Sequence, residues 1–153
     1  MRRCLAAPAT LVVLLVVTGC SVPRWPVGGG TMTSPFGLRR DGLGLTIHRG
    51  VDISLPPGTE VHAMAPGTVV FAGTMNGYGH AVVLDHGHGV RTLYAHLSEI
   101  HVESGQEIAT RTVIARSGSS GRTTGPHLHF EILRRGRAED PVPLLGGFPP
   151  PAR

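Results

Sequence analysis

Short apolar runs separated by glycine and proline are the main pattern of this sequence. β-Branched and aromatic residues cluster in segments such as 67–71 and 81–84, and no helical spacing of apolar residues persists for three turns. Residues 85–89 contain two glycines and separate the runs 80–85 and 90–96. They predict a hairpin connection, because glycine adopts positive φ without steric strain. Short strands at this spacing favour an all-β or mostly β domain.

The first twenty residues carry a different pattern. Arg2 and Arg3 precede an apolar run over residues 11–17, which is too short to cross a hydrocarbon core of about 30 Å as a helix. This pattern is typical of a secretion signal. The letters V-T-G-C at residues 17–20 resemble the bacterial lipobox, so we expect residues 1–20 to be a lipoprotein signal peptide with lipidation at Cys20. An ordinary signal peptide and an uncleaved N-terminal anchor are the alternatives.

Composition divides the rest of the chain into three parts. Residues 21–30 contain two prolines and three consecutive glycines, and residues 146–153 contain two glycines and three consecutive prolines. We expect the first segment to be a flexible tether and the second a Pro-rich disordered tail. With 153 residues in total, the chain has room for one compact domain, predicted over residues 31–145. Cys4 and Cys20 are the only cysteines, so this domain has no disulfide.

The charge of the chain says little about its partners. The net charge of +4 comes from 14 arginines and 10 acidic residues, and the arginines are scattered. No run of them forms a basic stripe, and without Arg2 and Arg3 the mature protein is only weakly basic. This distribution disfavours nucleic acid as a partner.

Nine histidines in a chain of this length direct attention to metal chemistry. His48 and Asp52 form an H-x-x-x-D pair, whose side chains would lie about 13 Å apart on a straight strand. They share a metal ion only if the chain bends between them, and Gly50 permits such a bend. His96 follows the run 92–95 and is predicted at a strand end.

A second histidine pair, His127 and His129, precedes an apolar segment in a predicted strand. Residues at i and i+2 of a strand point to one face, about 6.6 Å apart. Leu128 and Phe130 then face the opposite, apolar side. This alternation places two imidazoles in one cleft.

These residues supply a set of zinc ligands. Catalytic zinc takes three protein ligands and keeps one position for water, and His48, Asp52 and one of His127 and His129 provide three. The remaining imidazoles are then available for proton transfer, which is the design of a hydrolase. A purely structural zinc site is the alternative, but such sites usually have four protein ligands, often cysteines, and the mature domain has none.

The other histidines are expected at the surface or in hydrogen-bonded packing: His62, His80, His86, His88 and His101. His86 and His88 form a second H-x-H, but in a glycine-rich turn whose only nearby carboxylate is Asp85. The Gly- and hydroxyl-rich loop 117–125 has neither lysine nor a following helix pattern, so it is predicted to be a groove wall rather than a phosphate cradle.

Several motifs occur in a characteristic order: T-S-P-F-G at 33–37, H-x-x-x-D at 48–52, Y-A-H-L at 94–97 and G-P-H-L-H-F-E at 125–131. Supporting segments are P-G-T-E-V at 57–61, G-Y-G at 77–79, V-E-S-G-Q at 102–106 and D-P at 140–141. Over residues 33–145 the chain resembles the lysostaphin-type (LytM-like) zinc metallo-endopeptidases that act on peptidoglycan. Motifs in this order are far more specific than a single H-x-H.

The resemblance implies a fold and a role for each site residue. The fold is a small antiparallel β-sheet domain of the duplicated hybrid motif type, with a narrow groove over the metal. Tyr78 borders that groove and is a candidate hydrogen-bond donor to the tetrahedral intermediate. The expected Zn²⁺ ligands are His48, Asp52 and His129, and the expected catalytic pair not bound to metal is His96 and His127.

The expected function is hydrolysis of peptide cross-links between peptidoglycan stems by a lipid-anchored monomer, in the outer membrane facing the periplasm. Ser21 after Cys20 is compatible with transport there. The expected bond joins D-alanine to diaminopimelate, whereas a glycine bridge would imply a different wall. One alternative is a non-hydrolytic LytM-like module that binds peptidoglycan and activates a partner amidase, which the complete ligand set disfavours. A second is an exported peptidase of other substrates, such as glycine-rich bacteriocins.

Overall fold

The computed structural model describes residues 22–41 and 44–147, which form twelve β-strands and one short helix. The mostly β class is confirmed. The predicted signal peptide, Cys20 and residues 148–153 lie outside the described residues. The elements are β1 (Thr31–Ser34), β2 (Gly37–Asp41), β3 (Gly44–His48), β4 (Val51–Ser54), β5 (Glu60–His62), β6 (Gly67–Met75), β7 (Gly79–Asp85), β8 (Val90–Ile100), β9 (Glu107–Ile108), β10 (Val113–Ser117), β11 (His127–Arg134), β12 (Arg137–Glu139) and α1 (Pro141–Leu144).

Ten of the strands form one antiparallel sheet. Its central order is β1-β4-β11-β8-β7-β6-β9, with β12 beside β11, and β10 between β5 and β8. The strands β2 and β3 form a separate hairpin sheet. The predicted connection over residues 85–89 is confirmed, because β7 and β8 pair directly across residues 86–89.

Alternation along the central strands separates a large core from a second face, which carries a smaller apolar cluster and the candidate metal ligands. Leu128 and Phe130 of β11 are fully buried and pack with Val51 and Ile53 of β4 in the main core. The alternate positions of the same strands point to the other face, where His129 lies. The sheet therefore carries its apolar core on one side and the candidate metal ligands on the other.

The segment before β1 is part of the folded domain, which differs from the flexible tether predicted over residues 21–30. Val27 is buried in the main core. Trp25 packs against Phe130, with ring centroids 6.2 Å apart, and donates a hydrogen bond from Nε1 to the carbonyl of Gly147 at 2.6 Å. The tether was predicted from glycine and proline content alone. That content does not show that Val27 can be buried in the core and that Trp25 can pack against it.

The helix α1 closes the described part of the domain. Asp140 caps it, since its Oδ1 accepts a hydrogen bond from the backbone N–H of Val142 at 3.0 Å, and Pro141 occupies the first helical position. Residues 22–41 and 44–147 form no helix with the length and apolar character of a membrane span.

Candidate metal centre

Strand register brings Asp52 and His129 together. They are direct partners in the antiparallel pair of β4 and β11, so their side chains leave the same face of the sheet a few ångströms apart. Asp52 Oδ1 lies 2.7 Å from His129 Nδ1. On its other side His129 pairs with Ala95 of β8, which is fully buried.

A bend between β3 and β4 adds His48 to this pair. His48 ends β3, and the chain turns at Arg49 and Gly50 before β4 begins. Gly50 is buried, and a Cβ there would collide with the backbone oxygen of Phe130. The predicted bend is present, although close backbone approach rather than positive φ is what requires glycine. His48 Nε2 comes to 3.1 Å from Asp52 Oδ1.

Hydrogen bonds orient both imidazoles so that their free nitrogens meet. His48 Nδ1 lies 2.8 Å from the carbonyl oxygen of Pro35, and His129 Nε2 lies 3.0 Å from Glu131 Oε1. Since each of these acceptors takes an N–H, the opposite ring nitrogens face Asp52 and can offer a lone pair to a metal ion that replaces the proton shared with its carboxylate. Those nitrogens, His48 Nε2 and His129 Nδ1, are 3.1 Å apart.

The three donor atoms fit one metal ion. Within the described residues, His48, Asp52 and His129 are the group of three metal-ligating side chains whose donors lie within 4.8 Å of one another. Two imidazoles and one carboxylate are the donor types that zinc selects at catalytic centres. The structure thus brings together the three residues predicted as ligands, and selects His129 rather than His127 from the H-x-H pair.

The groups around Asp52 keep its carboxylate ionised, which is the form that binds a metal ion. Burial by itself raises the pKa of Asp52, but hydrogen bonds with His129 and His48 outweigh it and hold this pKa well below its usual range. Burial lowers the pKa of His129, but its bonds to Asp52 and Glu131 raise the pKa above the ordinary histidine value. A cation arriving at this site therefore competes with a proton on His129.

Behind His129 lies a buried carboxylate that sequence reasoning did not single out. Glu131 is 1% exposed, and its Oε1 accepts hydrogen bonds from His129 and, at 2.7 Å, from the Tyr78 hydroxyl. Arg49 Nε lies 3.8 Å from Glu131 Oε2. The i+2 spacing after His129 places Glu131 on the same face of β11, and this was the available signal.

Tyr78 borders the cavity as predicted, but its hydroxyl is engaged. Burial and the hydrogen bond to Glu131 raise the pKa of Tyr78 to about 12. A tyrosine has one hydroxyl proton to donate, and here Glu131 receives it. In this conformation the proton is committed to orienting Glu131 and is not directed towards a substrate oxyanion.

His96 and His127 lie together beside the three candidate ligands, with ring centroids 4.7 Å apart. His96 is not at a strand end as predicted; it lies inside β8, where the register against β7 shifts, and has a φ of 61°. Such a bulge turns a side chain out of the regular alternation. That turn directs His96 into the cavity, although its neighbour Ala95 already points to the same face of the sheet.

Both of these imidazoles are held by backbone carbonyls. His96 Nδ1 lies 2.8 Å from the oxygen of Ser120, and His127 Nδ1 lies 2.8 Å from the oxygen of Gly125. In the neutral tautomer that this contact selects, the lone pair lies on Nε2. Burial, together with the nearby His127 and His129, lowers the pKa of His96, which favours its neutral form as a base.

Two glycines hold the loop that supplies these carbonyls. Gly79 (φ 66°) and Gly121 (φ 76°) approach so closely that a Cβ on either would collide with the backbone of the other segment. Ser120, between them in space, donates from Oγ to the carbonyl of Leu97 at 2.7 Å and accepts from the N–H of His80 at 2.9 Å. The position of His96 thus depends on this backbone contact.

The second H-x-H motif makes no metal site in the described residues. His86 Nδ1 lies 2.7 Å from the oxygen of Pro66, and its Nε2 lies 2.8 Å from the hydroxyl of Thr92. That hydroxyl contacts the buried Tyr94 hydroxyl at 3.0 Å. Burial lowers the pKa of His86, so this network contains a neutral histidine.

One cavity of about 680 Å³ includes the whole constellation. Its walls come from the β2–β3 hairpin and from the loop predicted as a groove wall. The lining residues are Arg39, Arg40, Ile47, His48, Arg49, Asp52, Gly77, Tyr78, His96, Arg122, Thr123, Thr124, His127, His129 and Glu131.

Comparison with known proteins identifies the family of this domain. The model of peptidase family M23 matches residues 46–141. The chain belongs to peptidase family M23. The catalytic domain of the antimicrobial peptidase lysostaphin from Staphylococcus simulans is 34% identical, with a TM-score of 0.70 over 76% of this chain and 92% of that domain. The resemblance to lysostaphin-type peptidases and the antiparallel fold are confirmed.

Among curated relatives, this M23 domain is similar to proteins with two kinds of activity. It is 44% identical to the DD-carboxypeptidase/endopeptidase Mpg of Neisseria meningitidis serogroup B, over 72% of this chain and 26% of the relative. It is 39% identical to the murein hydrolase activator EnvC of Escherichia coli K12, over 84% of this chain and 31% of the relative. The chain therefore spans about a quarter to a third of the length of these relatives.

Proposed function

We propose that this M23 domain is a zinc-dependent endopeptidase that hydrolyses the peptide cross-links of bacterial peptidoglycan. The proposal rests on one observation. Three metal-donor atoms converge within hydrogen-bonding distance of one another, next to two further histidines whose Nδ1 atoms lie against backbone carbonyls. A binding module needs a groove, but it has no need for two oriented bases beside a metal centre.

His48, Asp52 and His129 would hold the zinc ion. Zinc in such a site acts as a Lewis acid on a carbonyl oxygen and makes water acidic enough to attack at neutral pH. His96 and His127 face the same cavity, and the carbonyls of Ser120 and Gly125 fix the tautomer of each. One Nε2 then accepts the proton of the attacking water, and a protonated imidazole returns a proton to the leaving amine.

The test is digestion of isolated sacculi, followed by mass spectrometry of the released fragments. We expect the metal-loaded protein to release cleaved cross-link peptides, a chelator to stop the release, and added zinc to restore it. His129→Ala should abolish both zinc binding and turnover. His101→Ala is a matched control, because His101 lies at the surface beside Glu99 and away from the cavity. Metal-loaded protein that releases no cleaved peptide would contradict the proposal.

The second candidate function is activation of a partner amidase, and similarity to EnvC over 84% of the chain favours it. An activator would increase the hydrolysis of peptidoglycan by a purified amidase, and it would retain this effect in His129→Ala if that variant stays folded. An endopeptidase would show no dependence on the amidase. The same two protein preparations therefore separate the two functions.

We further propose that the domain works at the envelope as a monomer, anchored through lipidated Cys20 in the outer membrane and facing the periplasm. The lipobox-like letters before Cys20 support this. Metabolic labelling with a fatty acid should mark the wild-type chain but not Cys20→Ser, and membrane fractionation should show in which membrane the labelled protein resides.

A further inference from the structure

The cavity of the metal centre is rimmed by arginine. Four arginines line it, and the carboxylates among the lining residues are Asp52 and Glu131. Both carboxylates are already hydrogen-bonded to histidine. The arginines are Arg39, Arg40, Arg49 and Arg122.

The four arginines differ in their partners. Arg39 Nη1 lies 3.6 Å from Asp52 Oδ2, and Arg49 Nε lies 3.8 Å from Glu131 Oε2. The guanidinium groups of Arg40 and Arg122 are exposed and form no hydrogen bond or ion pair with the side chains that the structure describes. Among the described side chains, neither of these two positive charges has a carboxylate partner.

Arg40 and Arg122 enter the cavity from two different segments. Arg40 belongs to β2, in the hairpin that ends at the candidate ligand His48. Arg122 belongs to the loop whose Ser120 carbonyl holds His96, and its backbone N–H donates to Gly77 at 2.9 Å. A substrate bound at the metal centre therefore meets positive charge from two different segments of the chain.

Guanidinium groups at such a rim select carboxylates. Their planar donors match a carboxylate with two parallel hydrogen bonds, and a cleft lined by one sign of charge raises the local concentration of opposite charge. Ile47, which is 71% exposed and lines the same cavity, offers an apolar surface to small side chains. This combination fits a short peptide with methyl and carboxylate groups better than a neutral glycine chain.

Building on the endopeptidase proposed above, we propose that Arg40 and Arg122 are specificity-determining residues. They select cross-link peptides that carry free carboxylates near the scissile bond. Amidated stems and uncharged glycine bridges lack these groups and are poorer substrates.

The experiment compares two synthetic cross-linked peptides that differ only in free or amidated side carboxyls. The zinc-loaded wild type should cleave the free acid with the higher kcat/KM. Arg40→Gln and Arg122→Gln should each reduce this preference about two- to fivefold, which is the range expected of partly exposed guanidinium–carboxylate pairs. The loss should lie mainly in KM for the free acid, and Arg40→Lys should recover part of the preference.

Arg137→Gln is the matched control, because Arg137 is an exposed arginine of β12 outside the cavity. Circular dichroism and zinc content would verify that each variant is folded and loaded. If Arg40→Gln and Arg122→Gln keep the wild-type preference, the inference is overturned while the proposed function stands.

If the wild type cleaves neither peptide, the proposed function fails and binding decides the inference separately. Tighter binding of the free acid by calorimetry, lost when both arginines are replaced, would support the inference. Equal binding of the two peptides by the wild type would overturn it.

Discussion

Replacing Glu131 tests whether the buried carboxylate controls the metal centre. The side chain is 1% exposed, and its Oε1 receives both the His129 and the Tyr78 hydrogen bonds. Glu131→Gln keeps the shape and one acceptor oxygen, but it removes the negative charge and places an amide opposite Arg49. Glu131→Leu removes the acceptor altogether. Both variants change the electrostatics behind His129 without touching a ligand.

The expected loss of zinc affinity follows from the two donors. Groups that orient a metal-bound histidine typically contribute about 10- to 100-fold in metal affinity or activity, or about 1.4–2.8 kcal/mol. Glu131→Gln retains an acceptor, so we expect a loss of roughly tenfold. Glu131→Leu leaves the His129 N–H and the Tyr78 hydroxyl without a partner. We expect that variant to lose about 100-fold.

Competition with a zinc chelator of known affinity measures the dissociation constant directly, without relying on turnover. Glu103→Gln is the control, because Glu103 is exposed and lies in a distant loop. Thermal denaturation of the metal-free proteins would separate loss of folding from loss of the site. Wild-type zinc affinity in a folded Glu131→Leu variant would refute the reasoning.

Three further predictions follow from other parts of the structure. Gly121→Ala should lower turnover but keep the wild-type zinc affinity. The added Cβ would collide with the backbone of Gly79 and displace the Ser120 carbonyl that holds His96. Steady-state kinetics measures turnover, and zinc titration measures the affinity. His86→Gln should make the free energy of unfolding less sensitive to pH on the acid side. The pKa of His86 is lowered in the fold, so the unfolded chain binds that proton first and the free energy of unfolding falls as pH drops below about 6.5. Zinc at about 100 times its dissociation constant should stabilise the wild type by ~2.7 kcal/mol and leave Asp52→Ala unchanged, as measured by denaturant titration.

Each of these has a control and a contrary outcome. For Gly121→Ala, the control is Gly105→Ala. Gly105 has a similar positive φ, but a Cβ added there meets no neighbour. Equal turnover in the two variants would show that the Gly79–Gly121 contact does not matter for catalysis. For acid stability, the exposed His80→Gln serves as the reference, and identical slopes would contradict a half-buried, neutral His86. Zinc stabilisation of Asp52→Ala equal to that of the wild type would place the ion elsewhere.

The pattern of apolar and polar residues was enough to predict the mostly β class of the domain and the metal-binding chemistry of its site. Apolar residues with a period of two predict strands, because successive side chains of a strand face opposite sides. The same period explains why His127 and His129 share a face with an apolar residue between them. The candidate metal ligands could also be chosen from the sequence, because histidine and aspartate are residue types that zinc prefers.

Tertiary structure decided which of these residues meet. His48 and His129 are 81 residues apart in the chain, Tyr78 and Glu131 are 53 apart, and Trp25 and Gly147 are 122 apart. The Gly79–Gly121 contact also joins segments that are distant in sequence. Local pattern does not show which distant strands pair, because that pairing is selected by the burial of side chains from many strands at once. The pairing of β4 with β11, more than any single motif, places a carboxylate beside an imidazole on the open face of the sheet.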